Sequence, residues 1–317
     1  MRLLRAELMK LNRPLTWAVF AAAALFCVLL AVGGASNART QAQGGGRQPA
    51  SCATLRLPAG PDCVRALDAQ RARAAAERTD EVAAATRTAA QLGPVAAGAE
   101  AAGLMASLPG ALALALLAGG HVGGEWSGRT VKNLLVQNGR RARVLAAKAG
   151  SLWLAGVGLV LVCWAALAVA GPLIRAADGL PDPHESLGAA ASWAFPQAGR
   201  SLLVLAAFAA MGVLAGVVTR GTIGTMAATT AAVVAMLIAT TLPGLGRWTP
   251  ATWVQGWMGF AAGQASITSL PDNFWSRFNN STGAQPGHLT GLAGVSGLLA
   301  VCVLAAMWLF RTADVTG

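Results

Sequence analysis

The chain has 317 residues, of which 55% are hydrophobic and only 12% charged, with a net charge of +11. A soluble domain carries about a quarter charged residues, so this composition excludes an ordinary soluble globular protein and points to a membrane-embedded one. The excess of basic residues flanks apolar segments and does not form a stripe with aromatic partners, which excludes nucleic acid as a partner and fits membrane topology.

Residues 1–14 read as a cytoplasmic amphipathic helix: Leu4, Leu8 and Leu11 share one face, while Arg2, Arg5 and Arg13 lie mostly off it. Residues 15–34 carry no charge and are long enough to cross roughly 30 Å of hydrocarbon, giving a first span that acts as a signal anchor. The basic tail before it sets the N-terminus inside. Residues 35–100 hold eight arginines and six acids. A segment of this length crosses largely regardless of charge, and its Ala-rich part, 62–92, reads as an external helical pair or one long helix.

A second span is expected at 101–120 and a third at 149–171. Between them, 121–148 is a basic polar interruption holding Arg129, Lys132, Arg140, Arg141, Arg143 and Lys148 against the single acid Glu125. So basic a short segment belongs on the inside. Residues 172–199 contain Pro172, Pro181, Pro183 and Pro196 and read as an extended or turn-rich external loop. Spans four and five follow at 201–219 and 223–243, joined by a tight turn through Arg220. Residues 248–271 are uncharged but rich in Gly, Gln, Ser and Thr, with Trp248, Trp253 and Trp257. Facing lipid they would leave many polar groups unsatisfied, so they read as a re-entrant or interfacial segment. A sixth span at 289–310 and a cytoplasmic tail, 311–317, complete an all-α membrane protein. Short inside segments then hold twelve Lys and Arg against four in short outside segments.

Few residues offer chemistry. Cys27, Cys163 and Cys302 fall one apiece in spans and behave as small hydrophobes. Cys52 and Cys63 share the external segment, where an oxidising compartment favours a disulfide, with free thiols or a metal site as the alternatives. His121, His184 and His288 are far apart and form no metal-binding spacing. His121, next to the inside end of the second span, reads as a helix-end residue, with a proton relay as the alternative. No phosphate-binding loop, nucleophile elbow or zinc-protease motif is present, so no ATP hydrolysis is expected on this chain. Glu125 is open to two readings, a local pair with Arg129 or Lys132, or an anchor for a segment that receives force from a partner. Gly212 with Gly216, Gly119 with Gly123 and Gly120 with Gly124 have the four-residue spacing of close helix contacts.

Three features together resemble the membrane-spanning permease subunit of ABC-2 type ATP-binding-cassette exporters. Glu7, Lys10, Leu11 and Arg13 before the first span are similar to that family's elbow helix. Glu125, Gly128, Thr130, Lys132, Leu134 and Leu135, followed by Arg140, Arg141 and Lys148, resemble its coupling segment between spans two and three. The third feature is six spans with a Trp-rich external segment before the last. One departure is Arg129, which stands between Gly128 and Thr130, where the family has the glycine directly before the threonine. The resemblance implies a separate cytoplasmic ATPase partner carrying the ATP and magnesium, no cofactor on this chain, and a second permease copy, identical or not. It also implies export of an amphipathic, lipid-like, peptide or drug-like substrate across the bacterial cytoplasmic membrane, with both termini inside. A competing expectation is a membrane-anchored sensor or scaffold acting through 35–100; an integral membrane enzyme has the least support.

Overall fold

The computed structural model describes residues 2–42, 51–52, 58, 60–128, 130, 141–180, 186–240, 248–259 and 286–312. Within these the chain is helical, with no strand. Five helices are long and apolar enough to cross a membrane, and a bent pair makes a sixth crossing if it counts as one broken span.

Helix α1 (Arg2–Leu11) turns into α2 (Pro14–Ala42) at Asn12 and Arg13. Pro14 opens α2 because it has no N–H to leave unsatisfied and its φ is already helical. With no breaker after residue 34, α2 continues eight residues past its apolar part, and Arg39 near its end pairs with Asp178 at 3.6 Å. Cys52 and Cys63 are disulfide-bonded, with Cα atoms 5.8 Å apart. The bond ties the preceding chain to the first turn of α3 (Pro61–Gln91), a single helix with Pro61 at its start and Gly93-Pro94 beyond its end. Ala85 and Ala89 are buried on it, and it packs along α2.

The region expected as a straight second span is broken. Helix α4 (Ala96–Met105) and α5 (Leu108–Ala118) meet at an angle of 61°. The cause is Pro109, whose ring would collide with the carbonyl four residues back, at Met105, if the helix ran on. Gly110 then sits so close to that carbonyl that a β-carbon would lie 1.9 Å from Met105 O. A π-helical turn (Gly119–Gly123) and one further turn, α6 (Gly124–Ser127), follow α5.

Helix α7 (Arg141–Asp178) is 38 residues long and overshoots its apolar stretch at both ends. Pro172 lies inside α7, and Pro196 inside α8 (Leu187–Thr219), so most of 172–199 is helical where turns were expected. Each proline removes one intrahelical donor, a loss that packing can outweigh. Beside Pro172, Gly171 lets α7 close onto the backbone of Leu92, where a β-carbon would lie 2.4 Å from the Leu92 carbonyl oxygen. Ser186 caps α8 by accepting from Ala189 N, and Arg220 ends it in the left-handed conformation, φ 51. Helix α9 (Thr222–Ala239), α10 (Pro250–Met258) and α11 (His288–Thr312) complete the described chain.

Helix α8 is the most enclosed of the long helices and packs against α4, α5, α7, α9 and α11. The outer faces of the others are apolar, with Leu25, Leu29, Leu161, Val169, Val301, Leu304 and Trp308 all exposed. Such continuous apolar surface suits lipid contact and would drive association in water. Small residues set the helix spacing. A β-carbon on Gly212 would lie 2.6 Å from Ala118 Cβ, one on Gly216 2.5 Å from Val122 Cγ1, and one on Gly123 2.6 Å from Gly221 O. The glycine pairs of 119–123 and 212–216 thus bear on α9 and on the α5 end respectively.

Candidate functional site: a buried ring of charges

Three elements meet at one end of the bundle: α1, the short turn α6 and the first turns of α7. On α1, Glu7 and Lys10 are three residues apart and so share a face. Glu125 comes from the turn after the π-helical segment, and Lys148 from the third turn of α7. Lys10 Nζ donates to Glu7 Oε1 and to Glu125 Oε1, each at 2.8 Å. Lys148 Nζ donates to Glu7 Oε2 at 3.1 Å and forms an ion pair with Glu125 Oε2, without hydrogen-bond alignment at that oxygen. The four side chains therefore close a ring in which each carboxylate lies between the two ammonium groups. Its formal charge is zero.

Burial makes the ring matter. Glu7 is 1% exposed, and Glu125 and Lys148 are also buried, while Lys10 is the partly exposed member. Withdrawing an ion from water carries a penalty of several kcal/mol, which complete pairing can offset and partial pairing cannot. The Glu7 carboxyl illustrates the balance. Burial pushes its pKa up, but the hydrogen bond from His121 and the charges of Lys148 and Lys10 outweigh this and hold it well below the usual carboxylate range. Lys10 shows the opposite sign, with burial lowering its pKa and Glu125 and Glu7 together raising it above 10.5.

His121 and Ser151 extend the network. Ser151 Oγ donates to Lys148 O at 2.9 Å, which uses the only hydroxyl proton. The contact of 2.9 Å between His121 Nε2 and Ser151 Oγ then requires the imidazole to be the donor, and Glu7 Oε2, 3.3 Å from the same nitrogen, can only accept from it. His121 thus holds Glu7 from the π-helical turn, the element that carries Glu125. Among the described residues no group of three or more His, Cys, Asp or Glu side chains is placed to hold a metal ion.

The outer side of this end is also tied together. Thr130 Oγ1 donates to Glu125 O at 3.2 Å, Gly128 caps α6, and Ser127 Oγ meets Thr222 Oγ1 at 3.3 Å and accepts from Thr222 N. Arg220 lies over the Trp126 ring, 5.4 Å from its centroid, and Trp126 meets Phe310 edge to face at 6.1 Å. Arg141 donates to the carbonyls of Phe310 and Arg311, 3.1 Å each. The start of α7 is thereby fastened to the end of α11.

Of the residues singled out in sequence, the structure brings Glu7, Lys10 and Glu125 into one contact set with Lys148. Gly128, Thr130 and Arg141 lie around it. Arg13 sits exposed in the turn between α1 and α2, outside the ring. Lys132, Leu134, Leu135 and Arg140 lie outside the described residues. Glu125 takes partners from 115 residues away on α1 and from α7, while Arg129 and Lys132, the partners of the local-pair reading, lie outside the described residues. His121 is more than a helix-end residue, and Ser151 was missed; its one available signal is its place one turn beyond Lys148. The lipid-facing side of α1 also differs, because Glu7 and Leu11 are buried while Leu8 and Met9 are exposed.

No protein-family model matches the chain, and no curated protein matches it at a significant level.

Proposed function

We propose that this chain is the membrane-spanning permease subunit of an ABC-2 type ATP-binding-cassette exporter in the bacterial cytoplasmic membrane. In this reading it crosses six times with both termini inside, and α1 is the amphipathic elbow. The observation that carries the proposal is the closed ring of Glu7, Lys10, Glu125 and Lys148. It joins the N-terminal helix, the segment after the second span and the start of the third into one mechanical unit. Those three elements bear the residues on which the resemblance to the family rests.

The mechanism follows from the linkage. A cytoplasmic ATPase docks on the basic 121–148 segment. Movement of α6 then has to carry α1 and α7 with it, because separating any one of them leaves a buried charge without its partner. The ATPase shifts the balance between inward- and outward-facing states only by binding them with different affinity, so the docking surface changes shape between them. Two permease copies enclose the cargo path. Its apolar lining suits an amphipathic, lipid-like or peptide cargo.

Affinity purification of the tagged full chain from its host in mild detergent tests this. A nucleotide-binding subunit should co-purify with ATPase activity, and the pair Glu125→Ala and Lys132→Glu should lose or uncouple it. Absence of any ATPase partner, under conditions that keep other membrane complexes intact, would sink the reading in favour of a scaffold acting through α3.

A further inference from the structure

The two long helices that leave the ring, α2 and α7, run side by side in the same direction. Lys10 on α1 leads into α2 and Lys148 stands near the start of α7, so the ring ties their inner ends. Further along, a β-carbon on Gly158 of α7 would lie 3.4 Å from the Phe20 ring of α2. At the outer ends Arg39 of α2 pairs with Asp178 of α7 at 3.6 Å. Between these two contacts lie Cys27 and Cys163, seven residues after Phe20 and five after Gly158. At 1.5 Å per residue they stand within about 3 Å of the same height.

The two thiols meet. They are hydrogen-bonded to each other, and Cys27 is 1% and Cys163 0% exposed. Cys27 stands in a row with Ala23, Ala31 and Ala35 at four-residue spacing on one face of α2, and side chains that small let helix backbones come close. The same turns carry Leu25 and Leu29 on α2 and Leu161 on α7, all exposed on the apolar outer surface, so the pair lies just beneath it. The third free thiol, Cys302 on α11, is also buried but has no sulfur partner among the described residues.

We propose that Cys27 and Cys163 form a reversible disulfide, made by a hydroperoxide dissolved in the lipid, that staples α2 to α7 midway along their length. Thiols already in contact need side-chain rotation and a small approach of two packed helices, not a rearrangement of the fold. One sulfur, losing its proton, attacks the terminal oxygen of the hydroperoxide; the O–O bond breaks and the alkoxide leaves, taking that proton as an alcohol. The second sulfur attacks the sulfenic acid so formed, the S–S bond forms, and the hydroxyl leaves with the second thiol proton as water. Two thiols and one hydroperoxide thus give one disulfide, one alcohol and one water. Burial selects the oxidant, because apolar surroundings exclude a water-borne reagent, and it makes the first step slow. Contact selects the product: the resolving thiol is in place, so the sulfenic acid is captured before a second oxidation. Once closed, the bond makes α2 and α7 one body, pinned at both ends and in the middle. The inference requires these helices to lie in a bilayer, but not the coupling to an ATPase.

The test uses the purified full chain in vesicles of phosphatidylethanolamine and phosphatidylglycerol, exposed to cumene hydroperoxide, then denatured, labelled with N-ethylmaleimide and weighed intact. Wild type should fall from three labels to one, and peptide mapping should find Cys27 joined to Cys163. A membrane-permeant dithiol should return both as thiols. Cys302→Ser should fall from two labels to none, whereas Cys27→Ser should leave Cys163 unbonded. Oxidised wild type should melt at a higher temperature than reduced, with no such rise in Cys27→Ser. Three labels retained by wild type, at a dose that converts the exposed Met9 to its sulfoxide, would overturn the switch. So would loss of the Cys302 thiol as fast as the pair, a bond between two chains, or recovery of Cys27 and Cys163 as separate sulfinic acids. None of these readouts involves an ATPase, so failure here leaves the permease proposal standing, and failure to find an ATPase leaves the thiol pair standing.

Discussion

Lys148 is the residue on which the ring depends most, since it is buried and is the partner of both carboxylates. Replacing it by Met leaves Glu7 and Glu125 to share Lys10, with one uncompensated buried charge. We expect Lys148→Met to destabilise the chain by about 3–5 kcal/mol, read as a lower melting temperature in mild detergent. Adding Glu125→Gln restores the charge balance and should recover part of the loss, a non-additivity expected of residues in one network. Purely additive losses would mean that the four groups do not act together. The ring also fixes a pH dependence. The folded-state pKa of Glu7 is depressed, so its ionisation stabilises the fold fully above its ordinary value of 4.5, and this contribution is lost as pH falls from there towards the depressed value. Lys10 is raised, so its contribution is present below 10.5 and is lost as pH rises through the folded value. Glu7→Gln should therefore show a constant deficit against wild type between about pH 6 and 9 that narrows below 4.5. A deficit that widens on acidification would contradict the charge pairing of Glu7.

At the scale of elements, the ring works only because α5, its π-helical extension, α8 and α9 approach closely enough to place His121 and Glu125 beside α1. Gly123 faces the backbone oxygen of Gly221, which cannot move aside as the tip of a side chain could. Gly123→Ala should lower stability by about 1–3 kcal/mol, as overpacking does, while Gly199→Ala on α8 meets nothing within 4 Å and should raise stability by up to about 1 kcal/mol. Equal effects at the two positions would show that the close approach does not matter. The break between α4 and α5 was open to sequence reading through Pro109 and its collision with Met105, but the uninterrupted apolar pattern of 101–120 masks it. Pro172 and Pro196 mislead in the other direction, since helix packing overrides their local preference. For α3 the Ala-rich stretch without breakers left a helical pair or one long helix open, and the structure has the single helix; the Cys52–Cys63 bond was foreseen from the position of both thiols in one segment.

For the whole molecule, apolar stretches of spanning length made the helical membrane-type architecture legible, because hydrophobicity and length alone dictate it. The ring was legible only in parts. Glu7, Lys10, Glu125 and Lys148 each stand out as polar residues flanking spans, but their contact joins positions 115 and 141 residues apart, which no local periodicity encodes. The central claim concerns the ring end as the surface on which an ATPase pushes. Site-specific photo-crosslinking in native membranes tests it most directly, with the crosslinker at exposed Thr130 or Arg143 near the ring, and at exposed Arg78 on α3 as the contrast. Capture of a nucleotide-binding subunit from Thr130 and Arg143, and not from Arg78, is the predicted result; no ATPase captured near the ring, with a partner captured from α3, would contradict it.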